Sequence, residues 1–155
     1  MFRLLPVLLM LVVAPVFAAD PPATPDKATL EKAFTDLLTN TTMVGTFSIA
    51  GREGNKAERY DITKAEKIEG DNWIITARIK YGDKDVLFPV PVKVYWADDT
   101  PMISLTNMTI PGLGTFTSRV MFYGDRYAGT WQHDKVGGHM WGTLEKRKAE
   151  DKKPE

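Results

Sequence analysis

The sequence contains no cysteine, and this absence removes several kinds of chemistry at once. Without a thiol, the chain has no disulfide, no thiolate metal ligand, no cysteine nucleophile and no attachment point for a lipoprotein anchor. Its folded state must therefore depend on a packed core. The 155 residues are enough for one, because a domain of about 150 residues buries roughly 68–70% of its unfolded surface.

An excess of charge of one sign is also missing. The sequence has 20 Lys and Arg against 20 Asp and Glu, so its formal net charge at pH 7 is zero. A surface that binds nucleic acid needs a marked basic excess on one face. We therefore expect no nucleic-acid partner.

Motifs of nucleophilic catalysis are absent as well. The sequence contains no Gly-x-Ser-x-Gly elbow, and Ser48, Ser104 and Ser118 lie inside strand patterns. The paired carboxylates Asp98 and Asp99 belong to a stretch with ordinary turn composition. We predict no catalytic residues and no cofactor, and the sequence favours a protein that is not an enzyme.

The N-terminus holds the one apolar stretch that resembles a targeting signal. Arg3 precedes an apolar run from Leu4 to Val13, and small residues at Val16 and Ala18 suit a signal peptidase. The run is too short for a permanent membrane span. We predict a signal peptide over 1–18, an extended leader over 19–25, and export to the periplasm or the cell exterior, with no permanent span in the mature chain.

The rest of the chain is predicted to form a single domain over 26–146, followed by a charged, disordered tail over 147–155. Apolar residues recur at helical spacing from Leu30 to Leu38, with Thr24 as the predicted N-cap and Pro25 as the first helical residue. The run Asn40-Thr41-Thr42 favours caps and turns, so we expect it to end the helix.

From Met43 onward the apolar residues alternate with period two, which is typical of strands. Turn signals separate eight predicted strands, at approximately 44–50, 57–68, 72–81, 85–97, 102–109, 115–123, 126–132 and 138–146. Short connections make neighbouring strands antiparallel. We predict an all-β fold with one N-terminal helix, arranged as an eight-stranded antiparallel up-and-down barrel; a two-sheet β-sandwich is the alternative. The helix covers one mouth of the barrel or packs on its outer wall.

Two local patterns qualify this picture. Pro89 and Pro91 cannot donate to a ladder, so the fourth strand is bent or lies at an edge there. A Gly-Thr pair followed by a large apolar residue, mostly aromatic, recurs at Gly45, Gly114, Gly129 and Gly142. Glycine beside an aromatic residue in a strand indicates a close approach of backbones, with the neighbouring ring filling the gap.

At Gly45-Thr46-Phe47, the first strand resembles the lipocalin and calycin barrels, whose first strand opens with Gly, any residue and Trp. Separate runs from Tyr95 to Pro101, from Ile110 to Phe116 and from Tyr127 to Trp131, together with Gly137-Gly138-His139, resemble an uncharacterised family of small secreted planctomycete proteins. That resemblance implies export and a compact barrel, and it brings no activity.

The stretch from Tyr127 to Lys146 gathers both histidines and two tryptophans, and we interpret it as the hairpin that closes the fold. His133 and His139 flank Gly137-Gly138, the predicted turn. If they meet across that turn, with Asp134 nearby, they would form a metal site of two histidines and one carboxylate. A hairpin histidine bonded to backbone or water is the alternative.

A ligand cavity is the other candidate site. An eight-stranded barrel is just wide enough either to be filled by side chains or to hold one small ligand. The aromatic residues predicted to line such a space are Trp73, Phe88, Trp96, Phe116, Phe122, Trp131 and Trp141. The sequence thus predicts an exported, non-catalytic barrel that binds a small apolar or amphipathic ligand or a partner surface. A metal-dependent site and a structural module of the cell envelope remain as alternatives.

Overall fold

A computed structural model describes residues 25–81 and 84–147 of the chain. The predicted signal peptide over 1–18, most of the leader, and the tail from 148 lie outside the described residues. Within the described ranges, no helix is both long and apolar enough to cross a membrane.

Over the described residues, the fold is one helix and a closed barrel of eight antiparallel strands in the order of the sequence, which confirms the predicted architecture and excludes the sandwich. Helix α1 covers Lys27–Leu38. The strands are β1 Thr41–Ser48, β2 Asn55–Glu69, β3 Asn72–Tyr81, β4 Lys84–Ala97, β5 Thr100–Ile110, β6 Gly114–Tyr123, β7 Arg126–His133 and β8 Val136–Lys146. Strand β8 pairs with β1 and closes the barrel, as the interpretation of the last hairpin predicted.

The helix begins after a different cap from the predicted one, and it ends at Leu38, just before the run predicted to end it, part of which belongs to the first strand. The N-cap is Asp26, whose carboxylate accepts a hydrogen bond of 2.8 Å from the backbone N–H of Thr29. That backbone bond is the main reason why the pKa of Asp26 lies below its ordinary value. At the other end, Thr41 and Thr42 already belong to β1 and are buried. Their hydroxyls are satisfied there, since Thr41 donates to the carbonyl of Leu37 at 2.7 Å and Thr42 donates to the carboxylate of Asp61 at 2.8 Å.

The helix closes one end of the barrel, which was one of its two predicted positions. Phe34 projects from the helix and is almost fully buried. Its ring meets those of Trp73, Trp96 and Phe122 edge to face, with centroids 5.1, 6.1 and 5.9 Å away. These three rings come from β3, β4 and β6, so the helix packs against strands from several sides of the barrel. We call this the helix end.

The end of β8 fastens the helix in place. The ammonium group of Lys146 donates to the carbonyls of Asp36, Leu37 and Thr39, which have no helical N–H donor where the helix ends. A cation at this position also suits the negative end of the helix dipole. Desolvation by burial lowers the pKa of Lys146, and the nearby Asp36 partly opposes this effect.

Candidate functional site

The junction between β8 and β1 is unusually tight, and we call it the glycine seam after Gly45 and Gly142, which pair across it. Tyr127 pairs with Gly142, and Glu58 pairs with Gly45 on the far side. The ring of Tyr127 packs across both glycines, and its hydroxyl donates a hydrogen bond of 2.7 Å to the Glu58 carboxylate. A Cβ on Gly45 would lie 2.3 Å from that hydroxyl and 2.2 Å from the carbonyl oxygen of Trp141, so only glycine fits.

Glu58 is a partly buried carboxylate on the inner side of this seam. It also accepts a hydrogen bond of 3.3 Å from the hydroxyl of Tyr60. Desolvation by burial raises the pKa of Glu58, although the two tyrosine hydrogen bonds act in the opposite direction. Burial likewise raises the pKa values of Tyr60 and Tyr127, and the charge of Glu58 adds to both shifts. Both tyrosines therefore act as hydrogen-bond donors at neutral pH.

The junction between β4 and β5 is the opposite case. Strand β4 pairs with β3 over Lys84–Lys93, but it pairs with β5 only from Lys93 to Ala97. Among the described residues, the first part of β4 and the last part of β5 therefore have no ladder between them. We call this junction the proline seam.

Pro89 and Pro91 explain why the ladder stops. The N–H of Val94 donates to the carbonyl of Asp71 at 2.9 Å, on the side of β3. Because the N–H groups of a strand point alternately to its two sides, the odd-numbered positions of β4 face β5. Two of those positions are Pro89 and Pro91, which have no N–H to donate. The prediction was a bent strand or an edge at these prolines, and within the closed barrel this part of β4 has a local edge without a ladder to β5.

A bulge in β5 widens the gap. The register of β5 against β6 shifts between Leu105 and Met108, and Asn107 adopts a left-handed conformation with φ of 49°. The hydroxyl of Thr117 accepts from the backbone N–H of Asn107 at 3.0 Å and donates to its side-chain oxygen at 3.2 Å. This pair of bonds fixes the bulge, and the end of β5 stays bent.

A pocket of about 820 Å³ lies at this seam. Trp73 and Val92 are buried members of the barrel core that also line it. Apolar side chains form most of the remaining lining, namely Ile68, Ile74, Pro91, Tyr95, Met102, Leu105 and Met108. Its size lies within the range of about 300–1,000 Å³ that is typical of small-molecule sites.

The polar part of the pocket carries positive charge. Lys93 pairs with Ser104, and Ser104 pairs with Arg119, so the three lie side by side on β4, β5 and β6. Arg119 donates to the carbonyl of Leu105 at 2.6 Å, to that of Ser118 at 2.7 Å, and to the hydroxyl of Thr106 at 2.8 Å.

No Asp or Glu belongs to the lining as the described residues define it. The pocket therefore combines an apolar floor with two cations at the point where β4 and β5 separate.

The structure scatters the aromatic residues that the sequence grouped as a ligand site. Trp73 lines the pocket, but Trp96 and Phe122 pack on Phe34 at the helix end. The others lie elsewhere: Phe88 pairs with Ala77, Phe116 stacks on His133 at 4.3 Å, Trp131 meets Phe47 edge to face at 5.5 Å, and Trp141 is 41% exposed on the outer wall.

The two histidines also lie apart. The turn that joins β7 to β8 is Asp134-Lys135, whereas the prediction placed it at Gly137-Gly138. Gly138 instead pairs with Trp131, and a Cβ there would lie 2.0 Å from the carbonyl oxygen of Ser48. These glycines therefore serve close packing of β8.

With this register, His133 pairs with Val136 while His139 pairs with Thr130. His133 shares the inward parity of Trp131, so His139 projects from the other face of the sheet. The ring of His133 hydrogen-bonds with the carbonyl of Leu113 at 2.6 Å, and its Nε2 lies 3.5 Å from the Asp134 carboxylate. Within the part of the chain that the structure describes, no three His, Asp or Glu side chains could hold a metal ion.

Lys93, Ser104 and Arg119 were not among the residues that the sequence analysis selected. The sequence marks Lys93 only indirectly. Pro89 and Pro91 indicate where β4 loses its pairing partner, and Lys93 is the next position of the same parity. The sequence gives no comparable indication for Arg119, since its position beside Ser104 depends on the register of β5 against β6.

Comparison with known proteins finds no family model, no curated protein and no solved structure that matches this chain. The resemblances to lipocalin barrels and to the planctomycete family stay predictions. The pocket geometry therefore carries the functional argument.

Proposed function

We propose that the chain is an exported, non-catalytic binding protein that holds a small amphipathic molecule in the pocket at the proline seam. The single observation that carries this proposal is the pocket itself, which is apolar at its floor and polar along one edge. Most of its lining residues face the outer wall, so the pocket is an open groove beside the core at the place where the ladder is interrupted. Two prolines and a fixed bulge hold this gap open.

The ligand would bury its apolar part against the exposed side chains of Ile68, Pro91 and Tyr95 in the lining. Burial of apolar surface contributes about 25 cal/mol per Å², so a short hydrocarbon chain is enough for measurable affinity. The aromatic core at the helix end contributes rigidity to the floor, because Trp73 is held there by Phe34. The site thus needs no chemical step to be useful.

Titration with N-phenyl-1-naphthylamine, an uncharged probe whose fluorescence rises in apolar surroundings, tests the proposal. We expect saturable binding of one probe per chain. Ser104→Trp fills the pocket from the outer wall and should weaken binding at least about tenfold, since the volume is lost. The measurement is the probe fluorescence, with the melting temperature recorded to show that the variant folds.

Thr130→Trp is the matched control. Thr130 is exposed, pairs with Arg119 in the same row of the sheet, and does not line the pocket. This variant should bind the probe as the wild type does. Equal loss in both variants, or no loss in Ser104→Trp, would refute the pocket as the binding site.

The structure bears differently on the two alternative functions, a metal site and an interaction module. The metal site lacks its geometry, because His133 and His139 lie on opposite faces of the sheet. The alternative of an interaction module is favoured by three exposed apolar side chains on the outer wall, Met121, Tyr123 and Trp141. If no amphiphile binds, that alternative becomes the better explanation of the surface.

A further inference from the structure

We infer that the pocket selects amphiphiles with an anionic head group, a carboxylate or a phosphate monoester, bound between Lys93 and Arg119. This inference rests on the proposed function and names the class of its ligand. It starts from the row Lys93, Ser104 and Arg119, which crosses three neighbouring strands at the upper limit of the gap. A lipid head group and a free metabolite with the same anion would be recognised alike.

The geometry of Arg119 supports this assignment. A guanidinium group has five N–H donors, and three hydrogen bonds to Leu105, Ser118 and Thr106 hold it in place. Two of its donors therefore have no bond to these three residues, and Arg119 is part of the pocket lining. A side chain that its own scaffold already orients loses little entropy when it binds an anion.

Lys93 supplies the second charge. It is exposed, and among the described residues no carboxylate pairs with it, in contrast to Lys64, which lies 2.5 Å from Glu66 on β2. The hydroxyl of Ser104 lies between the two cations in the row and can donate to the same anion. An uncharged head group would leave both cations without a counter-charge.

The apolar lining fixes the orientation of the ligand. Leu105 and Met108 follow Ser104 along β5, and Trp73 and Val92 lie below them. An anion held by the row therefore places its hydrocarbon chain along the gap that Pro89 and Pro91 keep open. Head group and chain would be recognised by two separate sets of residues, which makes each set testable alone.

The experiment displaces bound N-phenyl-1-naphthylamine with four compounds of equal chain length, each below its critical micelle concentration. These are dodecanoate, dodecyl phosphate, dodecan-1-ol and dodecyltrimethylammonium. We expect the two anions to displace the probe at concentrations about tenfold lower than the alcohol, with the cation weakest, because charge complementarity discriminates between head groups. The ratio of the two anions shows whether a carboxylate or a phosphate monoester fits better.

Lys93→Gln should weaken both anions about fivefold and leave dodecan-1-ol unchanged, which is the effect of one partly exposed charge pair. Lys135→Gln, in the exposed turn between β7 and β8, removes the same charge at a residue that does not line the pocket and should change nothing. If the alcohol binds as tightly as the anions, the head-group inference is wrong and the binding function stands. If Lys93→Gln leaves the preference intact, Lys93 is not the head-group residue. If none of the four displaces the probe and the probe itself does not bind, both proposals fail.

Discussion

The glycine seam and the proline seam are two junctions of one barrel that were built in opposite ways. At the glycine seam, β8 and β1 pair over seven residues, from Thr41 to Phe47, and a tyrosine ring covers the space that missing side chains leave. At the proline seam, β4 and β5 pair over five residues, from Lys93 to Ala97, and beyond them a pocket opens.

The difference shows how two residue types adjust the wall of a barrel. Glycine removes the Cβ, so strands and rings can approach more closely than any other residue allows. Proline removes the N–H, so the ladder stops although the strand continues. Closure and opening thus come from the backbone chemistry of four residues, Gly45, Gly142, Pro89 and Pro91.

The largest expected effect is at the glycine seam. Gly45→Ala should lower the free energy of unfolding by about 3 kcal/mol or more, because overpacking at a fixed backbone cannot be relieved by a side-chain rotation. The obstacle is the carbonyl oxygen of Trp141, which belongs to the backbone of β8. Urea unfolding followed by circular dichroism measures the change.

Gly51→Ala is its control. Gly51 has a positive φ of 76°, but no atom lies within 4 Å of the position that a Cβ would take. The cost there is therefore conformational strain alone, about 1 kcal/mol. If the two substitutions cost the same, close approach is not what Gly45 provides.

A smaller change in stability is expected at Glu58, whose carboxylate accepts the hydrogen bond from the Tyr127 hydroxyl. At pH 7, Glu58→Gln should change the free energy of unfolding by no more than about 1 kcal/mol, because an amide can still accept the hydrogen bond from Tyr127. Burial raises the folded-state pKa of Glu58 above its ordinary value of 4.5, so the folded state binds the proton more readily than the unfolded state.

The sign of the pH dependence follows from this shift. The stabilising contribution of protonated Glu58 is complete below pH 4.5 and is lost as the pH rises through the folded-state pKa. Relative to Glu58→Gln, the wild type should therefore gain stability as the pH falls from 7 to 4.5. Unfolding at both pH values measures it, with Glu66→Gln, a surface carboxylate that pairs with Lys64, as the control for net charge. A wild type that loses stability relative to Glu58→Gln would contradict the assignment.

The smallest change in stability is expected at the proline seam. In the double variant with Pro89→Val and Pro91→Val, two restored ladder bonds would each contribute about 1 kcal/mol. Each proline that is replaced also gives the unfolded chain more conformational freedom, and this lowers the free energy of unfolding by about 0.4–1 kcal/mol. The net change in unfolding free energy should stay below about 1 kcal/mol, whereas probe binding should weaken because β5 can now pair with β4.

Hydrogen exchange at positions 89 and 91 would show whether the ladder has formed. Pro111→Val, in the exposed turn between β5 and β6, is the control and should leave binding unchanged. Protected amides at both positions together with full probe affinity would mean that the pocket does not depend on the interrupted ladder.

Much of the fold could be predicted from local chemistry. Alternation and turn residues gave eight strands whose observed limits differ by a few residues, and Pro89 and Pro91 indicated the edge. The helix start was less predictable, because Asp26 and Thr24 are both residue types that cap helices well, and the helix begins after Asp26.

The site was harder to predict because it depends on which face of each strand points inward. Trp141 and Trp131 both lie in the last hairpin, yet one is exposed on the outer wall and the other packs against the core. Bulges at Ile62/Lys64 and Leu105/Met108 shift the alternation within a strand, and such shifts leave no clear mark in the sequence. The place of Arg119 beside Lys93 requires the register of three strands.

The pairing of β1 with β8 also has a consequence for the order of folding. The other ladders of the barrel, as the described residues form it, join neighbours in the sequence, but this one must bring β1 to β8. Until Lys146 has left the ribosome, β1 has a free edge and the helix lacks the ammonium group that caps it. Contacts between distant parts of a chain form slowly, so closure of the glycine seam should be the late step of folding. A truncation before β8 would then yield an open sheet with two unpaired edge strands, and we expect such a sheet to aggregate.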